Sequence, residues 1–75
     1  MELKSILEAL LFVKGEAFGL DDLVRLAEQP EERVREALRC LADDCKERGM
    51  TLLEKDGEFQ LGTRPECAPY LERFL

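Results

Sequence analysis

Histidine is absent from this 75-residue chain, and its three cysteines, Cys40, Cys45 and Cys67, form no CxxC pair. A tetrahedral zinc site needs four nitrogen or sulfur ligands, more than this chain offers. A cysteine nucleophile would lack its usual imidazole base. Cys40 and Cys45 lie about 140° apart on a helix, so they do not face one metal together. No apolar run exceeds the five residues Ala9–Val13, far short of the roughly 20 that span a bilayer. Glu2 and Lys4 interrupt the first apolar stretch and no small-residue cleavage site follows it. With an odd cysteine count, that pattern sets a reducing cytosol as the expectation. There is no glycine-rich phosphate loop, repeat or low-complexity linker. Adjacent carboxylates such as Asp21-Asp22 and Asp43-Asp44 would diverge by about 100° on a helix, and so small a domain has little room for a cleft. The sequence therefore points to no enzyme, no metal and no cofactor.

Positive charge is also scarce. The formal net charge is −6, and by segment it runs 0 for Glu2–Lys14, −3 for Gly15–Pro30, −1 for Glu31–Arg48, −2 for Met50–Thr63 and 0 for Arg64–Leu75. Phosphate-backbone binding draws most of its affinity from clustered Lys and Arg. Autonomous DNA binding therefore starts from a weak position.

What is present is regular patterning at a charged fraction of 37%, which belongs to a folded and very soluble single domain. Leu3, Ile6, Leu7, Leu10 and Leu11 recur at helical spacing, and Gly15 is placed as the stop. Leu20, Leu23, Val24 and Ala27 predict a short second helix, with Gly19 as its cap and Asp21-Asp22 favouring its start. Gln29-Pro30 breaks it, and Pro30 suits the first position of a third helix running towards Gly49 with Val34, Leu38, Leu41 and Cys45 inward. From Met50 the period becomes two, centred on Asp56-Gly57, a pair suited to a type I′ turn. That turn pairs Lys55 with Glu58, Leu53 with Gln60, Leu52 with Leu61 and Met50 with Thr63. Met50, Leu52, Phe59 and Leu61 are then expected against the helices, and Thr51, Lys55, Glu58 and Gln60 in water. "RPECAPYLERFL" closes the chain as a short helix, in which Pro69 is expected to cost a hydrogen bond or a slight kink. The fold class is mainly α with a β-hairpin: a winged helix-turn-helix of three helices, a two-stranded wing and a closing helix.

"LKSILEALLFVKGEAFGLDDL" and "GEFQLGTRPECAPYLERFL" resemble the N-terminal winged-helix domain of segregation and condensation protein B, ScpB. The family pattern is roughly an "LEALLFxxGEPLxxxxL" opening and a "GGYxLxTRPEYAPYLxRLL" close. The resemblance covers almost the whole chain. Ala17 stands where the family often has proline, Phe59 where it often has tyrosine, and Cys67 in place of an aromatic. The Gln29-Pro30 turn is shorter than the commoner type. The resemblance implies that residues 1–75 are the first of two winged-helix domains in a longer protein. It also implies a homodimer whose partner is the kleisin ScpA and, through it, an SMC ATPase, in a cytoplasmic, nucleoid-associated complex that condenses and segregates chromosomes.

The third helix shows why DNA reading is the weaker alternative. Arg33, Arg35 and Arg39 project at about 260°, 100° and 140° from Val34, while Glu36 and Asp43 hold the outermost face. A small winged-helix transcriptional regulator would need those arginines on one stripe. The first helix is more informative. Phe12 lies at about 180° from Leu3, opposite the core stripe, with Ala9 and Val13 beside it. Phe12 then either packs under the closing helix, near Tyr70 or Phe74, or belongs to a self-association surface. Together with the family resemblance, this nominates Ala9, Phe12, Val13, Tyr70 and Phe74 as the candidate dimer interface.

Overall fold

The computed structural model describes residues 1–75. Helix α1 runs Leu3–Lys14 and ends at Gly15, whose left-handed backbone (φ 69°) turns its N–H back to the Leu11 carbonyl. Only glycine takes this conformation without steric cost. Strand β1, Phe18–Gly19, leads into α2, Leu20–Ala27, with Gly19 as the N-cap and Asp21 and Asp22 in the first turn. Helix α3 spans Glu31–Asp44, with Pro30 as its N-cap rather than its first residue. It also stops five residues before Gly49, because the chain from Cys45 leaves the helix in a turn.

The wing is β2, Met50–Lys55, and β3, Glu58–Thr63. Its register is the expected one, including Lys55 opposite Glu58 and Met50 opposite Thr63. Asp56 (φ 52°) and Gly57 (φ 77°) both have positive φ, as a type I′ turn demands. The sheet is not two-stranded, however: β1 adds to the other edge of β3, giving the order β1-β3-β2 with Phe18 opposite Phe59. The Leu20 N–H continues that ladder to the Gly57 carbonyl at 3.1 Å. A 3₁₀ turn, Pro65–Cys67, then leads into α4, Ala68–Phe74. This division puts Pro69 in the first turn of α4, where its missing N–H would have had no helical partner. The expected cost of Pro69 therefore does not arise.

The three helices and three-stranded sheet form a winged helix-turn-helix around one core. Leu7 and Leu11 of α1, Leu23 of α2 and Val34, Leu38 and Leu41 of α3 are buried, with Phe18, Phe59 and Cys45 beside them. Only 11 of 75 residues are buried. At about 1.5–3 kcal/mol for each large apolar side chain, so small a core leaves stability thin and makes polar tethers count. No helix is long and apolar enough to cross a membrane.

Candidate interaction surface

Because Leu7 and Leu11 anchor α1 to the core, its opposite face points outward. Phe12 is 75% exposed and Val13 82% exposed, and Ala9 is exposed beside them. Phe12 is therefore not tucked beneath the closing helix. Ile6, expected in the core stripe, is also exposed at its edge. On α4, Tyr70 is 70% exposed and Phe74 84% exposed; no residue of α4 is fully buried, and Leu71 is half-buried. All five candidate residues thus lie on the surface, on two separate elements.

A groove of ≈ 540 Å³ runs between α1 and the wing. Ala9 and Phe12 line one side, Met50 and Leu61 the other, and Cys45 and Arg48 the end nearest α3. Met50 was expected against the helices but stands exposed at this groove. Two apolar side chains on each bank make a surface that water covers poorly.

The face of α3 is built differently. Arg35 Nε donates to Glu31 at 2.9 Å, Arg39 Nη2 to Glu36 at 2.7 Å, and Lys46 pairs with Asp43 at 3.1 Å. Three of the five cations between Glu31 and Arg48 are therefore held against acids on their own helix or the turn after it. Three or more metal-ligating side chains do not gather anywhere in the structure.

Arg64 has a role that the linear pattern does not announce. Its Nη2 donates to the Cys45 carbonyl at 2.7 Å, and its Nε to the Cys45 and Arg48 carbonyls at 3.2 and 2.9 Å. Its backbone N–H donates to the Gly49 carbonyl at 2.8 Å. The guanidinium thus braces the turn after α3, sharing the Cys45 carbonyl with the Arg48 N–H at 3.0 Å, with its positive charge near the negative end of the helix dipole. It also ties the start of the 3₁₀ turn to the end of the groove. A second tether joins the helices, since Lys4 Nζ lies 2.9 Å from Asp44. The hydrogen bond from Lys4 holds the Asp44 carboxyl below the usual carboxylate range, and the same bond raises the Lys4 ammonium above its ordinary value.

The family profile of the segregation and condensation complex subunit ScpB matches residues 5–75. The chain belongs to the ScpB family. A segregation and condensation protein B from Desulforamulus reducens is 42% identical over 72 residues, covering 93% of this chain and 40% of that protein. Another from Geobacillus kaustophilus is 39% identical over 75 residues, covering 96% of this chain and 35% of the relative. The chain thus spans about two fifths of the length of the ScpB proteins it matches. Among solved structures, a dimer of an ScpB N-terminal domain complexed with an ScpA peptide superposes with a TM-score of 0.90 at 37% identity, over 96% of this chain and 89% of that one. ScpB from Mycobacterium tuberculosis gives a TM-score of 0.89 at 37% identity, over 97% of this chain and 47% of that one. The ScpB alignment covers the groove and α4 as well as the core.

Proposed function

We propose that this chain is the N-terminal domain of a two-domain condensin accessory subunit. In this reading it is a non-catalytic module that dimerises and takes part in binding the kleisin ScpA, and through it an SMC ATPase, in a cytoplasmic, nucleoid-associated complex for chromosome condensation and segregation. The observation that carries the reading is the solvent-facing apolar side of α1, Phe12 and Val13, on a helix whose other side is fixed in the core. Ala9, Phe12, Val13, Tyr70 and Phe74 supply the self-association surface. The likeness to an ScpB N-terminal domain solved as a dimer with an ScpA peptide supports both partners, and the pairing of Arg35 and Arg39 within α3 favours this reading over a DNA-binding regulator. A fluorescence titration of a labelled ScpA segment into the sedimenting species tests it: saturable binding to a dimer is expected, and a monomer indifferent to the segment would defeat it.

A further inference from the structure

We propose that α4 of each copy lies in the groove between α1 and the wing of a second copy, so that two copies exchange their closing helices; this rests on the self-association reading above. Helix α4 has seven residues, none fully buried and only Leu71 half-buried, and helices shorter than about 12–15 residues are marginal in water without packing. Its aromatic side chains, Tyr70 and Phe74, are spaced i and i+4 and so share one face. That face is open to solvent, whereas Leu71, on the helix's other side, is half-buried against its own chain.

The groove fits such an occupant in shape and charge. Its volume, ≈ 540 Å³, lies within the roughly 300–1,000 Å³ of sites that enclose a small-molecule-sized group. Its floor is apolar, and Glu8 and Arg48 stand at its rim with no ion-pair partner within the chain. On α4, Arg73 flanks the aromatic face, its guanidinium 5.6 Å from the Tyr70 ring, and is placed to meet Glu8, whereas Glu72 lies on the opposite side of the helix.

The root of α4 sets the geometry. Arg64 fixes the start of the 3₁₀ turn to the Cys45 and Arg48 carbonyls, and Cys45 and Arg48 themselves end the groove. Helix α4 therefore begins beside its own groove without filling it. A two-fold axis near that root would carry each helix into its neighbour's groove, the reciprocal relation a closed dimer requires. Exchange satisfies both exposed surfaces with one contact made twice.

Two variants of the chain test this, each checked by circular dichroism and sedimentation. The helix variant, Tyr70→Glu with Phe74→Glu, and the groove variant, Ala9→Glu with Met50→Glu, should each keep the helical spectrum and self-associate more than 100-fold more weakly. Mixing them should restore dimers in part, because the groove variant's intact α4 meets the helix variant's intact groove. A helix variant that remains dimeric at wild-type strength would overturn the exchange and leave the dimer standing. Two monomeric variants that do not associate when mixed would overturn it as well, in favour of a patch meeting itself. If the helix variant and its milder Tyr70→Ser, Phe74→Ser form both lose the cooperative thermal transition of the whole domain, rather than only the helical signal of the seven α4 residues, α4 belongs to the fold of its own chain and the exchange falls. A wild-type chain that sediments as a monomer would defeat the self-association reading itself.

Discussion

Replacing Arg64 with alanine removes three hydrogen bonds to two carbonyls, those of Cys45 and Arg48. The Arg48 bond is exposed, so water replaces it at little cost. The two Cys45 bonds are part-buried and involve a full charge, a setting in which a hydrogen bond contributes about 1.5–3 kcal/mol. Because both end on one oxygen they count closer to one bond than to two. The favourable position at the α3 C-terminus adds roughly 0.3–1 kcal/mol. The expected loss is about 2–3 kcal/mol, a large share of the roughly 4–11 kcal/mol that 75 residues carry at 0.05–0.15 kcal/mol each. In a domain of this size that is a fall in Tm of about 8–24 °C. Arg64→Lys keeps the charge but not the planar fork that reaches both carbonyls, and should recover about half. Thermal circular dichroism is the assay, run in a monomeric background so that dimer dissociation does not enter. A change in Tm below about 3 °C for Arg64→Ala would refute the account of the clamp.

Two further outcomes follow from the charges. With Arg35 and Arg39 held by Glu31 and Glu36 and a net charge of −6, duplex DNA should show no measurable anisotropy change at ~150 mM salt, or weak binding that vanishes as salt rises; sub-micromolar, sequence-dependent binding would contradict it. The Lys4–Asp44 contact should make stability fall in acid. Because folding lowers the Asp44 pKa from 3.8, its contribution is present above that value and lost as pH falls through the lower folded value. Lys4, raised from 10.5, contributes at and below that pH and loses its contribution only as pH rises through its higher folded value. Asp44→Asn should therefore be less stable than the parent at pH 7 and converge with it well below pH 3.8; equal stability at pH 7 would show the pair to be idle.

Much of the fold was legible because its signals are local. The helical spacing of Leu3, Leu7 and Leu11, and the Asp56-Gly57 turn between two alternating runs, each lie within a dozen or so residues. The 180° displacement of Phe12 from the core stripe marked the outward face of α1 correctly. Strand β1 was not legible, because two residues carry no period and their partners Phe59 and Glu58 lie some 40 positions away; hence the burial of Phe18 also went unread. Arg64 was illegible for a similar reason, since it looks like any surface arginine until Cys45 and Arg48 come beside it. The early end of α3 belongs to the same device: Cys45–Gly49 leaves the helix where Arg64 accommodates the turn. Pro69 misled because only the break between the 3₁₀ turn and α4 makes its position harmless.

A module that joins copies through the outward face of α1 should lose its dimer, and not its fold, on Phe12→Glu. At 75% exposure Phe12 does not hold the chain's own core together, so the variant should fold with an unchanged helical spectrum. In a dimer the same change places an unpaired carboxylate in a desolvated contact, which costs several kcal/mol. Sedimentation equilibrium beside the parent should then show a parent dimer and a folded mutant monomer; a mutant that stays dimeric at the parent's affinity, or that unfolds, would contradict the account.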